Sequence, residues 1–230
     1  MDVLAAHAAR HPDKPALIEG ERVWSWAEFV SRRNRLGHGL VGLGLPTGGH
    51  VIVYGGNSLE HYLAGAAARA AGLIPAPMNH RLVAEEVLYF LEHSDALAVL
   101  VSDRFVPMVE AVRSEAKKVR QWILLGAERR PWASHVDDLI AAGRPDHVEP
   151  PGGPGFGASI IYTGGTTGRP KGALRRGMNP QDLMDTLRAL DLLDPGHVHL
   201  VAGPMYHSAP GGLALYAHLV GATVVIMPKF

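Results

Sequence analysis

Short apolar runs of the kind that form buried strands recur along the chain at residues 50–54, 96–102, 119–125 and 222–227. Stretches of helical pattern separate them, at 57–71, 83–94 and 104–117. The chain opens with an alanine-rich helix over 2–11, then two strands, 15–19 and 22–26, joined at Glu19-Gly20-Glu21. Ser25 and Glu28 have the spacing of a capping box, which predicts a helix from there to about 43. Asn57 is the expected cap of the 57–71 helix. A short strand follows at 73–77, where Pro75 and Pro77 place it at an edge or crossover. After a helix at 134–142, residues 143–157 are rich in proline and glycine and read as a linker. A strand at 158–162 comes next. Asn179-Pro180 then opens a helix to about 192, followed by a strand at 197–202, a small-residue helix at 211–220 and the strand at 222–227.

Strands alternating with helices predict an α/β fold of mainly parallel sheets flanked by helices. The linker suggests two parts, a first α/β subdomain over 1–157 and a second that starts at 158 and runs to 230. With 230 residues and 47% apolar composition, the chain can bury a substantial core. Lys plus Arg is 22 and Asp plus Glu is 22. That balance argues against nucleic-acid binding and gives no drive toward anionic lipid. Cysteine is absent, which removes disulfides, thiolate metal sites and thiol nucleophiles. No run has the length of a membrane span and the first ten residues do not form a signal peptide, so the expected location is the cytoplasm, with peripheral membrane association left open.

The stretch that carries chemistry is Ile160-Ile161-Tyr162-Thr163-Gly164-Gly165-Thr166-Thr167-Gly168-Arg169-Pro170-Lys171-Gly172. A short apolar strand breaks into glycines and hydroxyls, and a lysine follows. Glycine lets successive N–H groups turn toward one anion. Thr163, Thr166 and Thr167 add hydroxyls, and Lys171 adds a point charge suited to a polyphosphate. The pattern is not the common P-loop, which ends in Gly-Lys-Ser/Thr and opens a helix. The bland alternative is a surface hairpin loop rich in turn formers.

These residues resemble the signature loop of the adenylate-forming superfamily, which includes acyl-CoA synthetases, luciferases and the adenylation domains of peptide synthetases. Gly164 stands where that loop usually carries serine. Asn79-His80-Arg81-Leu82 through Glu86, Ser94-Asp95-Ala96 and Val99-Leu100-Val101 also resemble acyl-CoA synthetases, whose members open with a strand pair and then a helix.

A second constellation, Gly203-Pro204-Met205-Tyr206-His207-Ser208-Ala209-Pro210-Gly211-Gly212, follows a strand and opens a helix. Ligands of open α/β sheets gather at the carboxyl ends of strands, so Tyr206 and His207 stand where a substrate can reach them. The block resembles the family's next signature, in which an aromatic–His pair borders the acyl and carboxylate site. The resemblance implies that His207, the candidate catalytic residue, hydrogen-bonds near the reacting carboxylate or lines the acyl pocket beside Tyr206. Gly211 and Gly212 would leave room for an acyl chain. The alternative is a proline-bounded turn whose Tyr and His only pack.

Other patterns take the plainer reading. Gly37-His38-Gly39-Leu40-Val41-Gly42 fits G-x-G-x-x-G but follows a charged, helix-like segment instead of a strand, so its glycines read as helix-packing positions. His197 and His199 share a strand face without a third ligand nearby in sequence. Arg32, Arg33 and Arg35 read as a solvated helix face.

The resemblance implies ATP-dependent activation of a carboxylic acid, in the first instance a fatty acid, to an acyl-adenylate and then a thioester with coenzyme A. Thr163, Gly164, Gly165, Thr166, Thr167, Gly168 and Lys171 would hold the nucleotide. Mg²⁺ would share the phosphate charge, with Thr167 the candidate metal contact. The family's Tyr-Gly-x-Thr-Glu segment, its ribose-binding Asp and its small C-terminal domain with a catalytic Lys have no counterpart in these 230 residues. The chain thus resembles the N-terminal half of such an enzyme, expected to be inactive alone. Its strand at 222–227 is expected to be an exposed edge open to homo-oligomerisation. Rival readings are a non-catalytic remnant or interaction module, an acyl-AMP ligase feeding a carrier protein, and an unrelated nucleotide-binding regulator.

Overall fold

A computed structural model describes residues 2–149, 158–163, 171–176, 180–189, 191 and 194–229. The helices are α1 (Val3–Arg10), α2 (Trp26–Gly42), α3 (Leu59–Ala70), α4 (Ala84–His93), α5 (Val106–Val112), α6 (Val136–Ala142), α7 (Pro180–Ala189) and α8 (Ser208–Leu219). The strands are β1 (Pro15–Glu19), β2 (Arg22–Ser25), β3 (His50–Tyr54), β4 (Ile74–Met78), β5 (Ala96–Val101), β6 (Gln121–Leu124), β7 (Ser134–His135), β8 (Ala158–Thr163), β9 (Lys171–Arg176), β10 (Val198–Val201) and β11 (Thr223–Ile226). A short 3₁₀ turn, Asp103–Phe105, precedes α5.

Five strands form an all-parallel sheet in the order β4-β3-β5-β6-β7. Its side chains alternate between two apolar clusters. Val51, Val53, Ala98, Leu100 and Ile123 face one side with residues of α2 and α3. Ile52, Tyr54, Val99, Val101 and Leu124 face the other with residues of α4 and α5. Burial on both faces explains why these strands read as unbroken apolar runs. The expected edge position of the proline-containing strand holds, since β4 ends this sheet.

A second sheet has the order β10-β11-β1-β2, with β10, β11 and β1 parallel and β2 antiparallel to β1. Leu17, Val224 and Ile226 from its strands, and Ala214 and Ala217 from α8, join the same cluster as α2 and α3, which links the two sheets. Strands from both ends of the chain build this sheet. A boundary at 157/158 would therefore cut it, with β1 and β2 on one side and β10 and β11 on the other. The expected exposed edge at 222–227 is corrected by the same pairing. β11 is enclosed between β10 and β1, and among the described residues the sheet ends at β10 on one side and β2 on the other, with Val198 and Leu200 of β10 exposed.

The capping box forms as expected: the Glu28 amide donates to Ser25 Oγ at 3.2 Å and the Ser25 amide donates to Glu28 Oε2 at 3.0 Å. Gly37 and Gly39 lie inside α2, and a Cβ on Gly39 would meet the Leu139 carbonyl oxygen at 2.7 Å, so this glycine serves helix packing against α6. The solvated-face reading of the arginines fails at Arg33. Its guanidinium is buried, pairs with the Asp2 carboxylate and donates from Nε to Asn34 Oδ1 at 3.0 Å. Burial works against the ionised Asp2, but the Arg33 hydrogen bond and charge hold its carboxyl below the usual carboxylate range. Arg35 donates to the Gly143 carbonyl at 2.9 Å, and Arg32 lies over the Trp24 ring at 4.8 Å. The helix expected over 104–117 is shorter, since α5 covers only Val106–Val112.

Candidate functional site

β8 and β9 form an antiparallel hairpin in which Thr163 pairs with Lys171. The backbones of these two residues stand opposite each other, at the mouth of the segment between the strands. Gly164, Gly165, Thr166, Thr167 and Gly168 lie outside the described residues, as do the side chains of Thr163 and Lys171. The sequence pattern did not reveal β9, because Gly172 and the charged Arg175 and Arg176 hide a strand whose existence is set by pairing with β8. The hairpin runs beside β4, and Ile160 is buried in the cluster that holds Ala76 and Met78.

The second constellation occupies the turn between β10 and α8. Helix α8 begins at Ser208, earlier than the expected 211, so Gly211 and Gly212 are helical residues. The room assigned to Gly211 is taken by the chain itself, because a Cβ there would collide with the Met205 carbonyl oxygen. Gly212 has no described atom within 4 Å of an added Cβ and remains an open position. His207 is the N-cap residue of α8, exposed, with no side-chain cap bond. Its imidazole therefore stands at the positive end of a helix dipole, where an anionic group is favoured.

Tyr206 is half-buried between two histidines. Its ring centroid is 4.4 Å from that of His207 and 5.2 Å from that of His80, the latter edge-on. His80 follows β4 and also meets Phe105 at 5.7 Å, which in turn packs on Tyr54 at 4.7 Å. An aromatic chain thus links the ends of β3 and β4 to Tyr206. Burial, then the charges of Arg81 and Arg104, push the His80 ring below the usual histidine range, against a hydrogen bond to the Gly55 backbone. Nearby His61 is fully enclosed. Burial, with a smaller contribution from His80, lowers its pKa to about 4, so it is neutral near pH 7.

Sequence reasoning gave Asn57 to the cap of α3 and assigned no role to His80 or His61. Ser58 is the cap, its Oγ accepting from the His61 amide at 3.0 Å. Asn57 instead reaches across to the turn before α8. The available signal was Gly55-Gly56-Asn57 directly after an apolar strand, at the carboxyl end where α/β sheets bind ligands. His197 and His199 are both half-exposed, and His197 Nε2 lies 3.6 Å from Asp194. Among the described residues no three His, Asp or Glu side chains converge as metal ligands.

The sequence-predicted site residues thus fall in two places, the turn that places an exposed His at the N-terminus of α8 and the β8–β9 hairpin beside β4. The model of one family, described as AMP-binding enzyme, matches residues 4–230. The chain belongs to the AMP-binding enzyme family. It is 27% identical over 97% of its length to a medium-chain-fatty-acid–CoA ligase of Ectopseudomonas oleovorans, covering 43% of that protein. It is 32% identical over 97% of its length to the fatty acid–[acyl-carrier-protein] ligase ScoC of Streptomyces coeruleorubidus, covering 42% of it. The solved structure of ATP-bound MatB from Rhodopseudomonas palustris matches all of this chain with a TM-score of 0.78 and 25% identity, over 45% of that chain. The chain spans a little under half the length of the curated relatives it matches. The AMP-binding fold thus accounts for the α/β architecture and mainly parallel sheets.

Proposed function

We propose that this chain is the N-terminal part of an ATP-dependent acid–thiol ligase that activates a carboxylic acid, of fatty-acid type, to its CoA thioester. The observation that carries the reading is the Thr163–Lys171 pairing, which holds both ends of a Thr- and Gly-rich segment at one hairpin mouth. In the first half-reaction a carboxylate oxygen bonds to the α-phosphorus of ATP as the bond to the bridging oxygen breaks, releasing pyrophosphate. In the second, a thiolate attacks the acyl carbon and AMP leaves. Phosphoryl transfer of this kind depends mainly on positioning and charge neutralisation.

The backbone amides of Gly164, Gly165 and Gly168, the hydroxyls of Thr163, Thr166 and Thr167, and Lys171 would hold the β- and γ-phosphates. Mg²⁺, when bound, neutralises phosphate charge; the Thr167 hydroxyl is the group of this chain that would face it. His207 would hydrogen-bond the reacting carboxylate, with Tyr206 and Gly212 bordering the acyl group. A cytoplasmic location is part of the same proposal; no helix among the described residues is long and apolar enough to cross a membrane. Self-association through β10 belongs to the same reading, because among the described residues β10 is an edge strand, and its exposed Val198 and Leu200 make it a template for another chain.

The test is calorimetric binding of non-hydrolysable acyl-adenylate analogues with short, medium and long acyl chains. Binding that strengthens with acyl length and is competed by ATP supports the ligase reading. ATP binding indifferent to any acyl group would favour a nucleotide-binding regulator, and no binding of either would defeat the proposal. A carrier-protein acceptor in place of CoA leaves this first step unchanged and is separated by the acceptor used in the second. The chain alone is expected to catalyse no acid-dependent ATP–pyrophosphate exchange.

A further inference from the structure

Asn57 holds three hydrogen bonds that tie separate parts of the fold to one point. Its Nδ2 donates to the Gly203 carbonyl at 2.8 Å and to the Met227 carbonyl at 3.1 Å. Its Oδ1 accepts from the Met205 amide at 2.8 Å. The side chain is buried, and every polar atom of its amide is engaged. It comes from the turn after β3 in the five-stranded sheet, whereas Gly203 and Met205 lie after β10, and Met227 follows β11, in the four-stranded sheet.

We propose that Asn57 is a positioning residue that sets the Tyr206–His207 turn against the carboxyl end of the five-stranded sheet. Met205 is held at its amide by Asn57 and closely approached at its carbonyl by Gly211, so the residue before Tyr206 is fixed from both sides. The edge-on contact of His80 with Tyr206 fixes the ring once the backbone is placed. Because Ser58 performs the capping of α3, Asn57 is not needed for that helix. A buried amide with two donors and one acceptor matched to two carbonyls and one N–H cannot be replaced by a carboxylate, whose oxygens would face two carbonyls. The ligand arm of the idea rests on the proposed acyl-adenylate site; the backbone arm does not.

The experiment compares the unchanged chain with Asn57→Ala and Asn57→Asp by residue-resolved amide exchange, thermal unfolding and calorimetry with a non-hydrolysable acyl-adenylate analogue. Asn57→Ala is expected to lower protection of the Met205 and His207 amides by about tenfold or more, while Ile52 and Leu100 stay protected. Asn57→Asp keeps an acceptor for Met205 and loses both donations, so it should restore part of the Met205 protection. Analogue affinity should fall by about tenfold or more in Asn57→Ala, with the unfolding transition still cooperative. Unchanged Met205 exchange in a folded Asn57→Ala chain would overturn the proposal. So would loss of the cooperative transition in both variants, which would make Asn57 a general core residue. If the unchanged chain binds no analogue, the ligase reading fails, and Met205 exchange still decides the role of Asn57.

Discussion

The two sheets differ in how completely this chain covers them. β5 lies at the centre of the five-stranded sheet, and five of its six residues are buried, between α2 and α3 on one face and α4 and α5 on the other. β10, at the edge of the four-stranded sheet, buries only Val201, while Val198 is 64% exposed and Leu200 is 52% exposed. The same chemistry, a short β-branched and leucine-rich strand, gives a rigid centre in one place and an open face in the other. The difference lies in the layers around the strand and not in its own sequence, and the Tyr206–His207 turn lies where Asn57 ties the two sheets together.

The largest expected effect falls on the covered sheet. Leu100→Ala removes a fully buried side chain from β5 and should cost about 3 kcal/mol of unfolding free energy in urea titrations. A cost below about 1 kcal/mol would mean that this sheet is as loosely packed as the other.

Acid should act next, on the side of the four-stranded sheet. His218 of α8 is buried against Trp26, Phe29 and Tyr62, and its Nε2 lies 2.8 Å from the Ala16 carbonyl of β1. Burial is the main reason that its pKa falls from 6.5 to about 4. The unfolded chain then takes up the proton first as pH falls. This contribution is full above about pH 6.5, declines below it and is lost as pH passes through about 4. The gap corresponds to on the order of 3 kcal/mol for each such ring, and His61 behaves alike. His218→Gln should therefore lessen the loss of stability between pH 6.5 and 4 by on the order of 3 kcal/mol in urea titrations. An unchanged slope would place the acid sensitivity elsewhere. The smallest effect belongs to Leu200→Lys, expected to leave unfolding free energy within about 0.5 kcal/mol because that side chain already meets solvent.

What sequence made legible were the features that neighbouring residues decide among themselves. The Ser25–Glu28 box, the apolar strand at 50–54 and the prolines of β4 each carry their own local reason. What escaped was set by distant partners. Arg33 looked like a surface charge because its counter-ion, Asp2, lies 31 positions away. Strand β11 looked like an edge because β1, its neighbour, comes from the other end of the chain. Asn57 had a plausible local duty, and only the three-dimensional arrangement shows Ser58 performing it and Asn57 bonded to Gly203 and Met205. At the candidate site, the positions of Tyr206 and His207 after a strand were readable from order alone. The helical start at Ser208 was not, nor was the Met205 carbonyl that fills the space beside Gly211.

The most direct test of the account is calorimetric titration of ATP with Mg²⁺ into this chain and into Lys171→Ala, with thermal unfolding of both as control. The account predicts measurable binding by the unchanged chain, a fall in affinity of about tenfold or more in the variant, and matching unfolding temperatures. Equal affinities, or no binding by the unchanged chain, would contradict the assignment of residues 163–171 to the triphosphate.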